Sequence, residues 1–220
     1  MIIAIDGPAA SGKSTTAQKV AEKLGFTYMD TGAMYRAVTL SIILEGIDPE
    51  DSRRLQKLLD KFFLDLKWEN GLLTVFLNGK DVTDDIRSVE VTKRVSAVSS
   101  LPKVREKMVA IQRSLGSRTD CVIEGRDIGT VVFPNADWKF YITADYKSRA
   151  QRRQRDLRAL GENQSIDQMI ENLKVRDEKD SSRSLSPLKR AVDAIEIDTT
   201  HLTIDEQIKL IVNKIRQNKH

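Results

Sequence analysis

The segment Gly7-Pro8-Ala9-Ala10-Ser11-Gly12-Lys13-Ser14 fits the pattern G-x-x-x-x-G-K-[ST], and its setting constrains the fold more than any other feature of the chain. It follows an apolar run, Ile2–Ile5, and precedes Ala17, Val20, Ala21 and Leu24, which fall on one face of a helix. Strand, glycine loop and helix in that order make a cradle where backbone N–H groups and the positive end of a helix dipole meet phosphate oxygens. Gly7 to Ser14, with Thr15, are therefore expected to bind the phosphates of ATP. In that arrangement Lys13 reaches the β- and γ-phosphates and the Ser14 hydroxyl holds Mg²⁺.

The remaining pattern extends this opening into an α/β chain. Gly25 reads as a helix C-cap, and Phe26–Met29 as a second strand ending at Asp30. Helices are expected over Gly32–Leu44, with Thr31 as N-cap, and over Pro49–Lys61, with proline in the first turn. The period then drops to two. Leu64, Leu66 and Trp68 alternate, as do Leu73, Val75 and Leu77, and Asn70-Gly71 and Asn78-Gly79 supply turns, so residues 62–86 read as a small antiparallel insertion.

Helical periodicity returns over Val89–Leu115, broken near Leu101-Pro102, and a charged helix is expected from Lys147 to about Leu160. Another helix is read over Asp167–Arg176, and Asp177–Pro187 as a polar, mobile segment. Cys121–Ile123, Lys139–Thr143 and Ala194–Ile197 are short strand candidates, and Thr203 with Glu206 signs a capping box for the last helix. Apolar strands alternating with helices imply a parallel sheet covered on both faces. The expectation is a P-loop NTPase-type α/β fold with core segments 1–61, 87–146 and 188–220, the insertion, and a helical lid at 147–187.

Composition excludes several classes. The 220 residues include one cysteine, Cys121, too few for a disulfide scaffold and better read as a small buried hydrophobe. No run approaches the ~20 apolar residues that span a bilayer, and no basic segment precedes Ile2, so a cytoplasmic protein without a membrane partner is expected. The net charge of +4 is uneven: residues 147–190 hold 12 Lys/Arg against 7 Asp/Glu. Such an excess suits nucleic acid, or equally a few arginines aimed at a nucleotide's phosphates.

Ligands of open α/β sheets bind beyond the carboxyl ends of the strands. Two segments there are chemically alike, Asp30-Thr31-Gly32-Ala33-Met34-Tyr35-Arg36 and Glu124-Gly125-Arg126-Asp127, each pairing an arginine fork suited to phosphate with carboxylates. On the basic helix Arg149, Arg152 and Arg153 share a face, whereas Arg155 and Arg158 read as solvated. Arg176, Asp180 and Arg183 follow. A helix, a mobile loop and a further helix carrying arginines suit a lid that closes over a transferring phosphate.

Taken with Leu101-Pro102-Lys103-Val104-Arg105, the segment Gly129–Pro134 and Arg176-Asp177-x-x-Asp180-x-x-Arg183, these motifs resemble the bacterial cytidylate kinases in order and over nearly the whole chain. The resemblance implies transfer of the γ-phosphoryl group of ATP to CMP or dCMP by a monomer with no nucleic-acid partner. It implies an acceptor phosphate held by Thr31, Arg36, Arg126 and Arg183, cytosine met by Ser96, Arg105 and Asp127, and the sugar met by Arg176 and Asp180. Lys13, Arg126, Arg153 and Arg183 form the catalytic set it implies. Two alternatives stay open at this point. One is a P-loop kinase for another acceptor, such as UMP, shikimate or dephospho-coenzyme A; the other is an ATPase stimulated by nucleic acid.

Overall fold

Five short runs form one fully parallel sheet in the computed structural model, which describes residues 1–158, 161 and 163–217; the central ones are mostly apolar and buried on both faces, while the edge run Ile195–Asp198 exposes Glu196 and Asp198. They are β1 (Ile2–Asp6), β2 (Thr27–Asp30), β6 (Cys121–Gly125), β7 (Trp138–Thr143) and β8 (Ile195–Asp198), in the spatial order β2-β6-β1-β7-β8. Side chains alternate across the sheet. Ile3 and Ile5 of β1 pack with Ala17, Val20 and Ala21 of α1 (Lys13–Leu24) and with Ile208, Ile211 and Ile215 of α8 (Ile204–Gln217). Ala4 and Ile123 face the other way, toward α2 (Thr31–Leu44), α3 (Ser52–Lys61), α4 (Val89–Val98) and α5 (Pro102–Gly116).

The insertion folds as a three-stranded antiparallel sheet, β3 (Leu64–Glu69), β4 (Leu72–Leu77) and β5 (Lys80–Asp81). Its turns need positive φ at both central residues, and Asn70, Gly71, Asn78 and Gly79 supply it with values of 53°, 74°, 50° and 83°. Trp68 meets Tyr28 of β2 edge to face at 5.1 Å, which joins the insertion to the main sheet. The basic stretch forms α6 (Tyr146–Arg158) and α7 (Ile166–Ser181), which pack through Ala150, Leu157, Met169 and Leu173 and also cover Ala9 of the phosphate loop.

Several sequence expectations are corrected. The helix read from Pro49 begins at Ser52, because the Asp51 carboxylate caps the N–H groups of Arg53 and Arg54. Asp30, not Thr31, caps α2 by accepting from Ala33 N. The segment from Asp177 read as mobile continues α7 in helical form to Ser181, with Asp180 buried. Leu160, where the basic helix was expected to end, lies outside the described residues. The Thr203/Glu206 box does form, with both reciprocal bonds present, and Cys121 is fully buried. Among the described residues no helix is long and apolar enough to cross a membrane.

Candidate active site

Every strand of the parallel sheet ends on the same edge, so the segments after β1, β2 and β6 converge there. The loop after β1 runs so close to β7 that a Cβ on Gly7 would clash with the carbonyl oxygen of Ile142. Ala10 and Gly12 adopt left-handed φ values of 58° and 91° before α1 begins at Lys13. The buried Lys13 ammonium stands 3.3 Å from Glu124 Oε2, and Tyr28 donates to Glu124 Oε1 at 2.6 Å. Burial would raise the Glu124 carboxyl, but Lys13, the Ser14 and Tyr28 hydroxyls and the field of Arg126 together hold it below the usual carboxylate range. Lys13 is itself depressed, first by burial and then by Arg126. Asp6 accepts from the N–H groups of Ile128 and Gly129 at 2.8 Å each and so fixes the turn beyond Arg126 and Asp127; burial still lifts its carboxyl to about 6.

Beside the loop opens a cavity of about 160 Å³. Lys13 and Ser14 of α1 line it, as do Thr31 and Arg36 of α2. Ser96 comes from α4, Arg105 from α5, Arg126 and Asp127 from the turn after β6, and Arg176, Asp180 and Arg183 from α7 and the segment after it. Thr31 donates to Glu124 O at 2.7 Å, and Arg36 donates to Thr92 Oγ1 at 3.0 Å. Within the same lining Arg105 forms a buried ion pair with Asp127 and stacks over Tyr35, 5.5 Å from the ring centre. Asp180 receives Arg126 Nε at 3.3 Å and Arg183 Nη2 at 2.5 Å. Arg183 also donates to Ser99 Oγ at 3.3 Å.

Cations outnumber their partners in this cavity. Arg176 is pushed down to about 10, mainly by burial and then by Arg126, and its Nε makes no hydrogen bond among the described residues. Burial likewise depresses Arg36, with Arg153, Arg87 and Arg126 adding repulsion. Arg153 does not line the cavity; its half-buried side chain on α6 acts on Arg36 and Arg176 through its charge. A site that crowds guanidinium groups around Lys13 is prepared for several phosphate charges.

Asp30, Tyr35 and Ser99 also line the cavity; the sequence marks Asp30 as a carboxylate in a ligand-facing segment without giving it a role of its own, and gives none to Tyr35 or Ser99. Asp30 was legible from its place at the end of β2, where ligand-facing residues gather. Tyr35 and Ser99 are a phenol and a hydroxyl on helix faces, and no local pattern marks them. Asp30 carries a pH signature. Burial and then the Glu124 charge raise its carboxyl to about 6 from an ordinary 3.8, so the folded chain binds this proton more tightly than the unfolded one. Stability from this group therefore falls as pH rises from about 4 to 6 and stays reduced above that. Asp30→Asn keeps a capping oxygen for Ala33 but removes the charge. Its melting temperature relative to the parent is expected to rise by a few degrees between about pH 4.5 and pH 7, read by thermal melts across that range. A flat difference would show that Asp30 ionises normally.

A parallel sheet with a glycine loop at its first strand and a cation-lined acceptor cavity at the same edge defines a P-loop kinase. Residues 3–217 match the cytidylate kinase family. The chain belongs to that family. A cytidylate kinase of Halalkalibacterium halodurans is 49% identical over 217 residues, which cover 99% of this chain and 98% of that one. One from Lactobacillus johnsonii is 47% identical over 219 residues, covering 100% and 95%. In Prochlorococcus marinus a bifunctional pantoate ligase/cytidylate kinase is 47% identical over 218 residues, which make up 98% of this chain but 42% of that protein. Among solved structures, an uncharacterised Eubacterium ventriosum protein superposes with a TM-score of 0.54 at 14% identity, covering 99% of both chains. A Thermus thermophilus protein does so at 0.51 and 14%, covering 100% and 98%. Both share the fold.

Proposed function

We propose that the chain transfers the γ-phosphoryl group of ATP to CMP and dCMP, yielding ADP with CDP or dCDP. The observation that carries this reading is the buried Arg105–Asp127 pair in the lining of the same cavity as Lys13, Arg36, Arg126, Arg176 and Arg183. Cytosine presents an amino donor at N4 and acceptors at N3 and O2; a carboxylate and a guanidinium side by side match that edge. Uracil turns the N4 donor into an O4 acceptor, which would face the Asp127 carboxylate. On this reading the base lies against Asp127 with Ser96 beside it, the phosphate against Thr31, Arg36, Arg126 and Arg183, and the sugar near Arg176 and Asp180.

An oxygen of the acceptor phosphate attacks the γ-phosphorus while the bond to the β-bridging oxygen breaks and ADP leaves. The nucleophile is already anionic near neutral pH, since its second pKa is about 6, so no general base is required. Rate comes from holding donor and acceptor in line and from neutralising the charge of the transferring group with Lys13, Arg126, Arg183 and Arg153. Ser14, Asp30 and Glu124 in the cavity lining offer oxygen atoms that suit a hard cation, and Mg²⁺ held at Ser14 would supply further charge neutralisation for the donor phosphates.

The same reading divides the chain into a core of 1–61, 87–146 and 188–220, a monophosphate-binding insertion at 62–86 and a lid at 147–187. It carries with it a cytoplasmic monomer whose partners are small molecules, neither nucleic acid nor membrane. An acceptor panel with ATP and Mg²⁺ tests it. CMP and dCMP are expected to exceed UMP in kcat/KM by at least about tenfold, because uracil inverts the hydrogen-bonding sense both at position 4 and at N3. Equal use of UMP, or phosphorylation of shikimate or dephospho-coenzyme A in its place, would overturn the assignment.

A further inference from the structure

Two arginines of α6 are spent on the protein's own backbone. Arg149, with only 3% of its side chain exposed, donates Nε to Ala9 O at 2.8 Å and grips Asp177 with both terminal nitrogens, at 2.6 and 2.9 Å. Arg152 donates to Ser11 O at 2.9 Å, a carbonyl that Thr199 Oγ1 also engages at 2.9 Å. These carbonyls flank Ala10, a residue with a side chain held at φ 58°. Such a conformation persists only where its surroundings enforce it.

The peptide plane gives these contacts a consequence for phosphate binding. In a trans peptide the carbonyl of one residue and the N–H of the next point to opposite sides, and no peptide in the described chain is cis. Pulling Ala9 O toward Arg149 therefore turns Ala10 N–H away from α6, and pulling Ser11 O toward Arg152 does the same for Gly12 N–H. Arg149 then carries the constraint further. Its partner Asp177 lies on α7 between Arg176 and Asp180, both of which line the acceptor cavity.

We propose that Arg149 is a positioning residue which, clasped to Asp177, fixes the phosphate loop in its anion-binding form and ties it to α7, so that the donor and acceptor sites are organised together. Neither residue touches a reacting atom. Binding of ATP tightens the loop and, through the clasp, presents Arg176, Asp180 and Arg183 to the acceptor. By linkage the acceptor returns the same effect to ATP.

The inference rests on the kinase reading above, and the test separates the two. On the full chain, calorimetry with a non-hydrolysable ATP analogue and CMP is expected to show each ligand raising the other's affinity by about fivefold or more, within the usual range of site-to-site coupling. In Asp177→Asn that mutual effect is expected to fall to about onefold, with kcat down about 10- to 100-fold and each ligand's affinity alone within about threefold of the parent. Asp177→Glu, which keeps the carboxylate, recovers most of both. Arg149→Lys gives a second reading if Asp177→Asn does not fold, because a point charge cannot hold Ala9 O and the carboxylate together. A mere helix-to-helix tether would lower the melting temperature and leave the mutual effect intact; that result, or unchanged kcat in a folded variant, overturns the clasp. A parent that binds the analogue but never phosphorylates CMP sinks the kinase reading itself, and the clasp with it.

Discussion

Lys13→Met is expected to lower kcat by about 10³-fold or more while changing the KM for CMP by less than about threefold, as measured by steady-state kinetics. The ammonium is buried at the first residue of α1, where the glycine loop hands over to the helix. A fixed positive charge in a site closed to water interacts with developing negative charge far more strongly than it would in solvent. Methionine fills the same space without that charge. The substitution has a second effect, because Glu124 loses its ammonium partner while buried in the sheet. Its carboxyl is then held down by Ser14, Tyr28 and the charge of Arg126. Breaking a buried pair from one side costs about 3–5 kcal/mol, part of which those groups offset.

The two effects can be pulled apart. Adding Glu124→Gln to Lys13→Met removes the stranded carboxylate, keeps an acceptor for the Tyr28 hydroxyl, and is expected to restore most of the lost melting temperature. Activity is not expected to return with it. If kcat recovers alongside stability, Lys13 acts by holding the fold and not by meeting phosphate.

The local elements were readable in proportion to how local their causes are. The β1–loop–α1 unit follows from Ile2–Ile5 and the Ala17/Val20/Ala21 face, and the insertion's hairpins from Asn-Gly pairs that both take positive φ. The order β2-β6-β1-β7-β8 was not readable, because all five runs look alike and pairing is settled by partners more than 90 residues away for β1 with β6 and for β2 with β6. Thr31 shows the same limit in one residue. It has the composition of a cap, but its hydroxyl is drawn to Glu124 O on the next strand, and Asp30 takes the cap.

Charge was misjudged where arginine consumes it. Asp177 and Asp180 suggest a loop by composition, yet each is neutralised by arginines, Asp177 by Arg149 and Asp180 by Arg126 and Arg183, so the helix runs through both. Arg149 and Arg152 share a face with Arg153, and the structure aims both at carbonyl oxygens of the phosphate loop, Arg149 gripping Asp177 as well. Arg155 and Arg158 are exposed, as a solvated face requires. Nothing in a sequence tells an arginine that will meet a ligand from one that will meet backbone, since both need the same fork.

Arg126→Ala is expected to lower kcat/KM for CMP by about 10²- to 10³-fold, the loss of roughly 2.7–4 kcal/mol of transition-state stabilisation that removal of one well-placed donor produces. Arg126→Lys is expected to recover little, because the fork that can span two phosphate oxygens is gone. Stability is expected to move differently from activity. Arg126 depresses both Lys13 and Arg176, so the unliganded site gains from its removal, while Asp180 keeps Arg183 at 2.5 Å. The melting temperature of Arg126→Ala is thus expected to match or exceed that of the parent, the mark of a residue kept for function at some expense to the fold. A variant that loses activity and stability in step would instead make Arg126 a member of the Asp180 ion pair and no more.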